Sequence, residues 1–149
     1  MNSLKMAVVT DADFAVIDVC TLLGIHLDAD LTMRTHVTKT VASCFAALRQ
    51  IRSIRRSVSP SVLRSLVFSM VLSQLDYGCA TLAGLPLLLL DRLQSVLNAA
   101  ARLIFASRRH NHVKLLRSLH WLQVPKRITF RLAVLAYRCL HGNQKSVEC

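Results

Sequence analysis

Asp28 and Asp30 stand one residue apart in "GIHLDADLTMRTHV", between a short apolar run and a basic one. Enzymes that move phosphoryl groups with two metal ions hold those ions on closely spaced carboxylates, so this is the first pair to test for catalysis. Just beyond it, Val37, Val41, Cys44, Leu48 and Ile51 recur at spacings of four, three, four and three. That rhythm predicts a helix from about Leu31 to the mid-fifties. Asp30 then falls where an N-cap belongs. A carboxylate there accepts a bond from a free backbone N–H and faces the positive end of the helix dipole, effects worth roughly 1 kcal/mol together. A capping role is expected of Asp30, and it requires no metal.

Basic side chains offer a different chemistry. Arg49, Arg52 and Arg56 lie at i, i+3 and i+7, a ridge opposite the apolar stripe, with Arg55 beside it. Arg127, Arg131 and Arg138 form a similar ridge near the C-terminus, and Arg108, Arg109 and Lys114 surround the polar stretch "SRRHNH". Ridges of this kind contact phosphates without reading sequence. The competing reading is a solvated helix face.

The remaining candidates are weaker. His110, His112 and His120 match no zinc spacing and lack a paired cysteine element, so they read as ordinary surface or core residues, as do His26 and His36. Trp121 and Tyr137 could stack on bases, but their apolar surroundings in the sequence predict core positions. Cys79 has no sequence-close base, and no nucleophile-elbow glycine pattern accompanies any serine. No catalytic residue, metal or cofactor is predicted, and no small-molecule substrate.

These groups need a scaffold, and composition bounds it. The 149 residues suit one domain of ordinary size or a piece of a larger one. Hydrophobic residues make up 53%, yet Lys and Arg outnumber Asp and Glu by 19 to 8. Residues 1–30 hold one lysine against five aspartates, a net of −4, whereas residues 31–149 hold 18 basic residues against three acidic ones, a net of +15. So basic a body suggests a polyanion partner, most simply nucleic acid. Spanning a membrane needs roughly 18 or more nearly continuous apolar residues, and "CATLAGLPLLLLDRLQ" is broken by Gly84, Pro86, Asp91 and Arg92. The N-terminus lacks a signal-peptide core, and five scattered cysteines argue for reduced thiols. A nuclear or cytoplasmic protein is expected, neither secreted nor membrane-bound.

The expected fold class is mainly α. "MAVV" and "FAVIDV", separated by "TDAD", read as a short N-terminal β-hairpin, with "CTLLGI" as a third strand or its continuation. A bundle of about five helices follows. Ser59 and Pro60 open the second helix, whose apolar set is Leu63, Leu66, Val67, Met70 and Val71, and Gly78 and Gly84 bracket its exit. Pro86 opens the third, with Leu90, Leu93, Leu97, Ala100 and Ile104 as its stripe. "VKLLRSLHWL" is a short helix. Pro125 starts the last, where Ile128, Leu132, Leu135 and Cys139 line one face, Phe130, Val134 and Tyr137 form a second ridge, and Gly142 is placed to end it. Helices apolar over so much of their circumference are normally enclosed, and a chain this short cannot enclose them all. Part of this surface is expected to pack against protein outside the chain.

From Leu23 to Gly142 the chain resembles the segment C-terminal to the catalytic palm in reverse transcriptases of non-long-terminal-repeat (LINE-type) retrotransposons. The resemblance rests on six phrases in order: "LGIHLDADLTMRTHV", "RSIRRSVSPSVLRSLV", "LDYGCATLAGLP", "LDRLQSVLNAAARLI", "LHWLQVPKRI" and "YRCLHG". It implies a palm-tail β element over residues 1–28, a helical thumb with its C-terminal extension over 29–142, and an unstructured tail over 143–149. The family's metal-binding aspartates sit in an aromatic-x-Asp-Asp turn. Neither "TDAD" nor "LDAD" is that motif, and no adjacent Asp pair occurs in the chain. The resemblance therefore implies a fragment of an RNA-directed DNA polymerase lacking fingers and most of the palm, itself not an enzyme. It would bind template–primer duplex, RNA–DNA or RNA, through its basic helix faces, and pack against the missing palm and fingers. The tail "NQKSVEC" departs from the family and suggests a relic reading frame. The alternatives are a helical protein–protein interaction module and a relic without a stable fold.

Overall fold

A computed structural model of the chain describes residues 19–22, 24–106 and 112–142. The expected strand "MAVV", most of "FAVIDV", Arg108, Arg109, His110 and the tail 143–149 lie outside the described residues.

The described chain begins with a two-stranded antiparallel hairpin, β1 (Val19–Leu22) and β2 (Ile25–Asp28), in which Leu22 faces Ile25 and Val19 faces Asp28. The apolar run "CTLLGI" is thus not one strand. Gly24, at φ +79°, takes the left-handed conformation that a tight turn needs and splits the run in two. A Cβ on Gly24 would lie 3.4 Å from the Tyr77 ring, and one on Gly78 would lie 3.0 Å from Ile25, so the hairpin tip and the 77–78 bend fit closely against each other.

Helix α1 spans Arg34–Ile54, as its periodicity predicts, and buries Val37, Cys44, Leu48 and Ile51. It starts later than expected, because Leu31 and Met33 both take left-handed backbone conformations. Its cap is also different. Asp28 reaches from seven residues upstream to accept the Thr35 N–H at 3.2 Å and the Thr32 hydroxyl at 3.0 Å. Asp30 accepts only from Thr32. The Met33 backbone turns the chain so that Asp28, not Asp30, meets the open end of the helix.

A short 3₁₀ turn (Arg55–Ser57) leads to α2 (Pro60–Val67), capped by the Ser59 hydroxyl as the sequence predicts. The rod continues through a π-helical stretch (Phe68–Leu72) into α3 (Ser73–Asp76), with the Ser73 N–H bonded to the Phe68 carbonyl five residues back. The wider turn shifts the inward face, so Val71, Leu72 and Leu75 are buried and Met70 is not. A second 3₁₀ turn (Cys79–Leu82) precedes α4 (Leu87–Phe105), whose stripe of Leu89, Leu93, Val96, Leu97, Ala100 and Ala101 is buried. Helices α5 (His112–Ser118) and α6 (Val124–His141) complete the fold. The fold is mainly α with a short N-terminal β element, as expected.

The core is centred on α1 against α4, where Ala47, Ala100 and Ala101 are all buried and their small side chains permit close approach. The two helices run in the same direction: Arg92 bonds Thr38 near their beginnings at 3.5 Å, and the residues around Arg52 and Arg102 share a groove near their ends. Helix α6 is fastened at its start, where Gln94 on α4 accepts the Val124 N–H at 2.9 Å. Val124 and Ile128 are buried, but the same stripe continues as Leu132, Leu135 and Cys139 on an exposed surface. Tyr137, expected in the core, is 63% exposed and packs edge-on against His141. It lies beyond the point where α4 and the 3₁₀ turn cover α6.

Candidate nucleic-acid interface

Helix α1 carries basic side chains and no acidic one, and its last turns pass into the 3₁₀ turn without a break, the Arg55 N–H bonding the Arg52 carbonyl. This continuity keeps Arg49, Arg52, Arg55 and Arg56 together. They line one groove of about 790 Å³ between the C-terminal halves of α1 and α4. Arg102 of α4, which sequence reasoning missed, faces them across it. The floor is apolar, made by Phe45, Leu48, Ala99 and Leu103. Arg49, Arg52 and Arg56 are exposed at the rim, while Arg55 and Arg102 are half-buried.

Among the described residues no carboxylate lines the groove, and none of the five arginines is in an ion pair. One structural use for them exists. Two helix C-termini end here, and each carries a partial charge of roughly −0.5, so together they offset about one of five positive charges. The excess of about four is what a polyanion would meet.

The second predicted ridge is differently employed. Arg127 pairs with Asp76 through Nε at 2.6 Å and Nη2 at 3.1 Å, and Arg131 reaches the same carboxylate at 3.1 Å. These two guanidiniums clamp α6 to the end of α3 rather than facing solvent freely. Arg138 is exposed two turns further on, and Lys114 is exposed on α5. Neither joins the groove. Of the predicted residues the structure brings together Arg49, Arg52, Arg55 and Arg56, and adds Arg102. The sequence signal for Arg102 is its place beside the apolar stripe of α4, informative only once α4 is known to lie parallel to α1.

The other candidates occupy structural places. Cys79 is buried, and burial followed by the Asp76 charge raises its pKa against the pull of Arg127 and Arg131. Burial likewise pushes the Cys44 thiol up to about 11. His36 is 5% exposed, and its Nδ1 accepts the His26 N–H at 3.5 Å. Burial first, and the His26 charge second, hold His36 below the usual histidine range. Together with Gly24, Lys39, Ser43 and Tyr77 these histidines line an open cleft of about 460 Å³. Among the described residues no three His, Cys, Asp or Glu side chains gather as metal ligands, and no helix is long and apolar enough to cross a membrane.

The chain matches no protein-family model, no curated protein and no solved structure.

Proposed function

We propose that this chain is a non-catalytic nucleic-acid-binding module, corresponding to the palm tail and thumb of a LINE-type reverse transcriptase, and that it holds a phosphate backbone in the α1–α4 groove without reading sequence. One observation carries this reading: five arginines converge on a groove that no described carboxylate lines. Phosphate contacts position a nucleic acid without specifying its bases, and among the described residues no Asn or Gln lines the groove to read an adenine edge. The six-phrase resemblance supports the same reading, with a primed template as the substrate it implies and the nucleus or cytoplasm as the place of action.

The test is binding of a labelled RNA–DNA hybrid carrying an unpaired RNA overhang, followed over a range of salt. If all five arginines contact phosphates, the logarithm of the binding constant falls with log salt at a slope of roughly −3.5 to −4.5. Replacing Arg49, Arg52 and Arg56 by alanine should reduce the slope to roughly −1.5. A slope unchanged by the triple replacement would overturn the assignment of this groove. In parallel, nucleotide incorporation onto the same primed template should match a control without protein, and magnesium-dependent extension would overturn the non-catalytic reading.

A second reading, a helical protein-interaction module, is favoured by the exposed Phe130, Leu135, Tyr137 and Leu140 on α6. Nucleic-acid binding insensitive to both salt and the triple replacement would favour it.

A further inference from the structure

We infer, building on the nucleic-acid reading, that the groove receives an unpaired strand in preference to a duplex. Its shape is the first reason. At about 790 Å³ between two helices it has the size of a pocket for a small organic ligand, enough for a few nucleotide units of one strand. A duplex presents a convex outer surface of phosphate and sugar. It would meet exposed Arg49, Arg52 and Arg56 at the rim, but not half-buried Arg55 and Arg102 below them.

Chemistry of the floor is the second reason. The part-exposed faces of Phe45 and Leu103 would lie beneath a bound duplex with nothing apolar to cover them. The bases of an unpaired strand are flat and apolar on their faces. They can descend between the walls and stack on Phe45 or on a guanidinium plane, while the phosphates stay within reach of the arginines of both walls. Stacking of this kind is tolerant of sequence because every base has a π-face.

The experiment compares three labelled probes at one salt concentration: an oligothymidine of about 16 nucleotides, near the upper end of known single-strand site sizes, a duplex of the same length, and an abasic strand of the same length. The oligothymidine should bind about tenfold more tightly than either, since one stacked base accounts for roughly that factor. Phe45→Leu keeps an apolar side chain of similar bulk and removes the ring. It should weaken oligothymidine binding about threefold or more and leave abasic-strand binding unchanged. A duplex bound as tightly as the oligothymidine, or an abasic strand bound equally well, would overturn the inference while leaving the groove a phosphate site. Failure of all three probes to bind would overturn the nucleic-acid reading with it.

Discussion

Arg127 grips Asp76 through Nε and Nη2 on one edge of its guanidinium, and each side chain retains only about a sixth of its exposure, 15% and 16%. The pair joins α6 to the end of α3 across 51 residues of sequence. Charge-assisted, bidentate bonds in a half-dry setting are the strong kind. Asp76→Asn is therefore expected to lower the unfolding free energy by about 2 kcal/mol, since it leaves two guanidiniums short of their acceptor. Urea denaturation measures this, and a change below about 0.5 kcal/mol would show that the clamp is merely a surface pair.

Acid should loosen the fold at two places together. Burial raises the pKa of Asp76, but the hydrogen bonds and charges of Arg127 and Arg131 outweigh it and hold the carboxyl below its ordinary 3.8. Asp28 is lowered too, first by the Thr35 side chain, then against some burial by the Thr35 backbone and by Thr32. Folded carboxylates with depressed pKa bind fewer protons than unfolded ones, so their stabilisation is present above about pH 4 and disappears as pH falls further. Denaturation midpoints should fall from about pH 4 to pH 2.5, and less steeply in Asp76→Asn.

His36 gives a second transition at higher pH. Its folded pKa lies below the ordinary 6.5, so the unfolded chain takes up a proton that the folded one resists, and stability declines as pH falls below about 6.5. His36 also occupies the third position of α1, where the dipole disfavours a positive charge. In His36→Gln the loss of stability between pH 7 and pH 5 should be largely abolished. An unchanged pH profile in this variant would assign the effect elsewhere.

Helix α6 should govern solubility. Leu135 and Leu140 are 51% and 77% exposed, beyond the part of the helix held by Gln94 and Asp76. Leu135→Glu with Leu140→Glu should raise the concentration at which light scattering begins and leave thermal stability within about 0.5 kcal/mol, as for surface substitutions generally. Lower stability with no gain in solubility would mean that these side chains already pack within the fold.

Apolar periodicity carried far into the structure. The stripes of α1 and α4 were legible at Val37, Cys44, Leu48, Ile51, Leu93, Leu97 and Ala100, and the Ser59–Pro60 start of α2 was equally plain. The groups that hold the N-termini of α1 and α6 were not, although Pro125 marks the start of α6 to within one residue. These acceptors, Asp28 and Gln94, come from seven and 30 residues away, and a local pattern search finds Asp30 instead. The groove was half legible. Spacing on one helix placed Arg49, Arg52 and Arg56 together, but Arg102 joins them only through parallel packing of two helices. Arg127 and Arg131 look like a free ridge in sequence because their partner, Asp76, belongs to another helix.

The π-helical stretch at Phe68–Leu72 acts as a spacer in rotation. A π turn holds about one residue more than an α-helical turn, so a single deletion within this stretch would restore the regular hydrogen-bond pattern and leave everything after it facing as before. Leu75 would stay in the core and Asp76 beside Arg127, whereas a deletion in the regular helix α4 would swing the residues after it by about 100°. The chain should therefore accept the loss of Ser69 far more readily than the loss of one residue in the middle of α4.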